Sequence, residues 1–207
     1  MNTRWYGRQM QRWWVLVILL AACGGDDVGG AADALPADAA AIDGAVSPLV
    51  GQWSYAGDPA LPIVSYTFDS DGTFVVVDDG GSEAGTYTLA GPGRLSMTSG
   101  GETVVTDYVV TSNQLLLGAL IPQGSISGLV GVWSSTAIAQ SGTSTTTVTL
   151  NSDMTGTLAV TTSSTQSIDG TWVAETGGLA LTLTGLGVQH YKSIGATGIG
   201  LLYFTKS

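Results

Sequence analysis

One cysteine and one histidine occur in 207 residues. A single Cys excludes a disulfide framework and a thiolate metal cluster. A single His excludes the multi-histidine metal sites. Lys and Arg total six against 16 acids, a net charge of −10, which argues against nucleic-acid binding, where a basic surface is needed. Only 11% of the residues are charged and 44% are hydrophobic, too apolar a balance for wholesale disorder. Glycine, by contrast, is abundant: 30 residues, about twice ordinary usage, which points to many turns. The length suits one medium domain or two small ones.

The N-terminus says where the chain goes. Arg4, Arg8 and Arg12 precede an unbroken apolar run of ten residues, Trp13 to Ala22. A bilayer-spanning helix takes about 20, so a basic stretch followed by this short core reads as a secretory signal peptide. The run ends Leu20-Ala21-Ala22-Cys23, which resembles the lipobox of bacterial lipoproteins. That resemblance implies a signal peptide over 1–22, cleavage before Cys23, lipidation of its thiol and acylation of the new N-terminus. The alternatives are an ordinary signal peptide with a coincidental Cys, or a buried core Cys. Several acyl chains, at about 0.8 kcal/mol per buried CH₂, make a stable anchor where one does not. The expected location is the bacterial cell envelope, with the membrane as partner through the lipid. No adjacent Arg pair indicates a twin-arginine route. Gly24, not Asp, follows the Cys, which favours the outer membrane. Cleavage leaves Arg94, Lys192 and Lys206 against 16 acids, a net charge of −13. Such a surface is repelled by anionic headgroups and nucleic acid alike, so the lipid, not the protein surface, would hold the chain at the membrane.

After Cys23, residues 24–48 are rich in Ala, Asp and Gly, with no basic or aromatic residue. They cannot bury enough apolar surface to offset their ordering entropy. Residues 23–48 are therefore read as the lipidated Cys and a flexible acidic tether, with an Ala-rich helix as the rival weakened by Gly29, Gly30 and Pro36.

From residue 49 the pattern repeats. Leu49-Val50-Gly51-Gln52-Trp53 returns as Leu129-Val130-Gly131-Val132-Trp133, and Thr67-Phe68-Asp69-Ser70-Asp71-Gly72-Thr73-Phe74 as Thr149 to Leu158, two residues longer. Gly85-Thr86-Tyr87 returns as Gly170-Thr171-Trp172, and Arg94 to Met97 lines up loosely with Gly178 to Leu181. These markers predict an internal duplication. Alternation at Val64/Tyr66/Phe68, Tyr87/Leu89, Leu95/Met97 and Leu179/Leu181/Leu183 predicts half-buried strands. Asp71-Gly72, Asp79-Gly80-Gly81 and Gly91-Pro92-Gly93 supply turns. No amphipathic helix is expected after residue 48. Each unit offers about seven short strands, suited to antiparallel meanders closing into barrels.

Gly51-x-Trp53 at the head of a meander resembles the opening motif of lipocalins, and Thr106-Asp107-Tyr108 resembles their second motif. A Gly-x-Trp start, a Phe-Asp-x-Asp-Gly-Thr-Phe hairpin and a later Gly-x-Tyr or Gly-x-Trp strand are similar to the wider lipocalin-like group of bacterial lipoproteins. The expected fold is all-β: two tandem, small antiparallel lipocalin-like units at 49–120 and 129–207, joined by a linker at 121–128. Pairing of the two into one larger barrel remains the alternative. The two motifs stand about half the usual lipocalin distance apart, no Arg follows to stack on Trp53, and Gln189-His190-Tyr191 replaces Thr-Asp-Tyr in the second unit. Strands this short make a shallow barrel that side chains can fill, against a large cavity.

Candidate sites are few. Asp69-Ser70-Asp71-Gly72-Thr73 looks like a calcium loop, with Asp78 and Asp79 nearby. The position that would need the Glu of an EF-hand is Gly80, and the flanking helices are missing, so a hairpin turn is expected and no metal. Trp53, Trp133 and Trp172 would line a pocket or, more ordinarily, pack strand ends. His190 has no Ser, Cys or Asp partner pattern. Glu83, Glu102, Asp107 and Glu175 offer carboxylates, but no spacing selects a pair. Residues 134–167 are Ser or Thr at 19 of 34 positions, which suits a sheet with a wet hydroxyl face, a surface for sugar or glycans being the alternative. No catalytic residue and no cofactor is expected. The first functional expectation is a non-enzymatic binding module for a small apolar or amphiphilic ligand. The second is a structural or protein-interaction lipoprotein, partnered by an envelope protein, with filled barrels. A hydrolase built on His190 ranks last.

Overall fold

A computed structural model describes residues 47–57 and 61–207. The signal peptide, Cys23 and the tether up to residue 46 lie outside the described residues. Among the described residues there is no helix, as the strand-period alternation predicts. The first half of the chain forms β1 (Gly51–Tyr55), β2 (Ile63–Phe68), β3 (Thr73–Asp78), β4 (Gly81–Leu89), β5 (Arg94–Ser99), β6 (Glu102–Val110), β7 (Gln114–Leu117) and β8 (Ile121–Pro122). The second half forms β9 (Gly131–Ala139), β10 (Gly142–Leu150), β11 (Thr155–Thr161), β12 (Thr165–Glu175), β13 (Gly178–Leu183), β14 (Gly187–Ile194), β15 (Gly198–Gly200) and β16 (Leu202–Lys206).

Strands β1 to β6 pair in sequence, β1 also pairs β16, β16 pairs β7, and β7 pairs β6. All these pairings are antiparallel, and together they close an eight-stranded barrel that leaves none of its strands as a free edge. The last strand of the chain thus completes the barrel begun by the first, although the sequence assigns residues 202–206 to the second unit. The cause is packing: Phe204 is fully buried in the first core and meets Tyr66 edge-on at 5.3 Å. Strands β9 to β15 form a further antiparallel meander, joined to β6 through Val104–Ala139 and Val105–Ile138. Its ends approach each other through β8, which pairs β9 at Ile121–Ser134, while the neighbouring Leu120 bridges Ile199 of β15. The segment 121–128, expected as linker, therefore carries a short strand.

Two large hydrophobic cores result among the described residues, with a small third cluster of Leu116, Ala119 and Ile194. One gathers Trp53, Phe68, Phe74 and Leu95 inside the closed barrel; the other gathers Trp133, Leu150, Leu158 and Leu181 within the meander. Full burial of each such side chain contributes about 1.5–3 kcal/mol. The alternation fails at Ala180, buried between Leu179 and Leu181, and at Val64, which is exposed while Ser65 is buried in its place. A register shift between Ile63 and Ser65 inserts an extra residue into β2 and turns Val64 outward.

The repeated sequence markers occupy repeated positions. Gly51 pairs Phe68 as Gly131 pairs Leu150; Thr73 pairs Thr86 as Thr155 pairs Thr171; Tyr87 pairs Met97 as Trp172 pairs Leu181. Trp53 Nε1 donates to Leu49 O at 2.6 Å, and Trp133 Nε1 donates to Leu129 O at 2.9 Å. The marker glycines Gly85 and Gly170 are explained by close approach: a Cβ there would run into the carbonyl of Thr98 or Thr182 on the next strand.

Candidate functional site

The closed barrel is filled at one end and open at the other. Trp53, Phe68, Tyr87, Leu95 and Leu115 are buried and fill the closed end. Above them Tyr66, Phe74, Val76, Met97 and Val104 line a cavity of about 540 Å³, within the range of about 300–1,000 Å³ usual for ligand pockets. Its wall continues onto the meander through Ser135, Ala137, Ser144, Thr146 and Tyr191. The short strands left a large cavity in doubt, while the binding-module expectation called for one, and the structure has open space at this end. Its reason is side-chain size: the meander contributes Ser, Ala and Thr where bulk would be needed to fill it.

The polar groups of the cavity sort by depth. At the rim stand Asp78, Asp79, Glu83 and Glu102, and no Lys, Arg or His among the described residues lines the space. Gly80 N donates to Asp78 Oδ1 at 2.7 Å, and the Ser99 hydroxyl donates to Glu83. Deeper in, Tyr66 and Tyr191 are 4% and 2% exposed. Both phenols border the cavity, and neither hydroxyl has a hydrogen-bond partner among the described residues. Burial pushes the Tyr66 phenol well above its ordinary value, and the charges of Glu83 and Asp78 push it further. Burial alone does the same to Tyr191. Both therefore stay neutral at ordinary pH, each able to donate or accept one bond to an occupant.

Glu83 and Glu102 are thus brought together with Asp78 and Asp79, on β3, β4 and β6 and one turn, with β5 lying between β4 and β6. Sequence spacing alone could not select them, because barrel closure creates the ring. Asp107 lies elsewhere, at the β6–β9 seam. Its Oδ2 accepts from Thr136 N at 2.8 Å, and its Oδ1 lies 3.6 Å from Arg94 Nε. That Nε is itself buried and makes no hydrogen bond, so charge proximity rather than a direct bond holds the pair. Glu175 Oε2 meets His190 Nδ1 at 3.1 Å on a half-exposed face, a partner the sequence did not suggest because β13 intervenes. No hydroxyl joins this pair to form a triad among the described residues.

The remaining candidates are placed as follows. Asp71 Oδ1 accepts from Thr73 N and Thr73 Oγ1 at 2.9 and 2.6 Å, closing the β2–β3 turn. Trp53, Trp133 and Trp172 are buried and none borders the cavity; Trp172 Nε1 donates to Asn151 O at 3.0 Å. The Ser/Thr-rich segment pairs hydroxyls across strands, as in Ser134–Thr147 and Thr136–Thr145, both at 3.3 Å. Cys23 lies outside the described residues. No family model matches this chain, and neither a curated protein nor a solved structure does.

Proposed function

We propose that this chain is a lipid-anchored protein of the bacterial cell envelope whose β-structure serves as a non-enzymatic binding module for a small apolar or amphiphilic ligand. The carrying observation is the cavity of about 540 Å³, with apolar walls and two buried phenols lacking partners among the described residues. Each phenol oxygen opens onto this space and can donate or accept one bond to an occupant. The fold in this reading is a pair of tandem, duplicated lipocalin-like units in which the final strand of the second joins the barrel of the first. The matched registers and the matched indole bonds of Trp53 and Trp133 support it. The anchor reading rests on Leu20-Ala21-Ala22-Cys23, with the outer membrane favoured by Gly24.

Two tests separate the parts. Cys23→Ser should release the protein from sedimenting membranes; a variant that still sediments with them overturns the anchor. Uptake of a neutral apolar fluorescent probe should be saturable in the natural chain and reduced at least tenfold in Ala137→Trp, which fills the wall. Equal uptake by both, or none by either, would favour the alternative of a structural lipoprotein with no ligand.

A further inference from the structure

We infer that the occupant of this cavity is a cationic amphiphile, an amine head on an apolar body. The inference rests on the binding-module reading and adds the sign of the ligand's charge. Four carboxylates, Asp78, Asp79, Glu83 and Glu102, stand at the mouth, and no basic side chain among the described residues faces them across the cavity. The cations of the β-structure are engaged elsewhere or turned away. Arg94 lies by Asp107 at the seam, and Lys206 lies over Trp53 at the filled end. Lys192 follows Tyr191, whose side chain borders the cavity, and so projects from the opposite face of β14.

A second observation independent of the carboxylates points the same way. Tyr66 is 4% exposed, and its hydroxyl, without a partner among the described residues, opens onto the cavity between the rim and the apolar floor. A phenol oxygen accepts from an ammonium N–H, while the Tyr66 ring itself packs against Phe68, Phe74 and Phe204. The carboxylates already act on this position, since Glu83 and Asp78 help push the phenol upward. An ammonium head there meets negative charge and a free oxygen, while its apolar body runs along Phe74, Val76 and Met97 toward Tyr191. A fatty acid in the same orientation would bring a carboxylate against four others, at a cost that low-dielectric surroundings magnify.

The test compares three probes of one chain length on the full chain: dodecylammonium, dodecanol and dodecyl sulfate, each below its micelle concentration. The expected order is ammonium tightest, alcohol at least tenfold weaker and sulfate weakest. Asp78→Asn/Glu83→Gln/Glu102→Gln should bring the ammonium to within about threefold of the alcohol while leaving alcohol binding unchanged. Glu175→Gln, on a remote face, should change neither. Alcohol binding equal to ammonium binding, or a triple variant that keeps the ammonium preference, overturns the charge assignment and leaves the binding-module reading standing. Failure of all three probes to bind overturns both.

Discussion

Lys206 Nζ lies 5.2 Å from the centroid of the Trp53 ring and 3.1 Å from Val50 O. The contact ties the last strand of the chain to the first. It also supplies, from a lysine near the C-terminus, the cation over the motif tryptophan that no following arginine provides. The barrel's closure therefore depends on residues at both ends of the β-structure, and strand β16 is its final stave.

That dependence predicts an unequal pair of substitutions. Phe204→Ala removes a fully buried ring from the first core and should cost about 3–5 kcal/mol. Lys206→Ala removes a cation–π contact at an exposed site and should cost about 0.5–1 kcal/mol. Urea unfolding at pH 7 measures both. Equal costs would mean that β16 does not close the barrel.

Trp53 and Trp133 make the same indole bond in separate cores. Trp53→Phe leaves the buried Leu49 carbonyl unpaired and should cost about 1–3 kcal/mol; Trp133→Phe leaves the part-buried Leu129 carbonyl unpaired and should cost less. Because the two share no core, the double variant should lose the sum to within about 0.5 kcal/mol. A larger coupling would show that the cores fold as one packed unit.

The matched turns differ at Asp69/Asn151 and at Gly72/Met154. Gly72 has φ 83°, and Met154, in the corresponding place, has φ 65°, the only positive-φ residue other than glycine among those described. An L side chain in this conformation costs about 1–2 kcal/mol, while glycine loses about 0.5–1 kcal/mol more chain entropy on folding. Met154 is about half exposed, so little packing is lost. Met154→Gly should stabilise by up to about 1 kcal/mol, read as a higher denaturation midpoint; a lower midpoint would show that the methionine side chain contributes more than its strain costs.

The same turns carry a pH dependence. Hydrogen bonds from the Thr73 hydroxyl and N–H hold the Asp71 carboxyl below its ordinary value, and Thr155 does the same for Asp153. A depressed folded value stabilises above the unfolded value of about 3.9, and that contribution is lost as pH falls through the folded value. Asp71→Asn/Asp153→Asn should therefore lower the thermal midpoint at pH 7 and change it less at pH 3. An undiminished difference at pH 3 would show that the turns do not depend on ionised aspartate.

Much of the fold was legible because strand burial has a period of two. Leu95, Leu179 and Leu181 are buried where alternation puts them, and the Gly-x-Trp markers recur in matched registers. Val64 was misplaced because a one-residue insertion in β2 reverses the face of its neighbours without changing composition. The partnership of β16 with β1 was not legible at all: its segment reads as one more short strand, and only the burial of Phe204 against Tyr66 assigns it to the first core. The carboxylate rim escaped for a similar reason. Glu83 and Glu102 are ordinary exposed-strand residues in sequence, and become a rim with Asp78 and Asp79 only when the sheet closes on itself.

The binding-module account is tested most directly by the mass of the full chain, purified without denaturation and measured under native conditions. A mass exceeding that of the processed and lipidated chain, with the excess lost on denaturation, is the predicted result, and the size of the excess gives the class of ligand. A mass equal to that of the processed chain, with no uptake of dodecylammonium or dodecanol when these are added, would contradict the account.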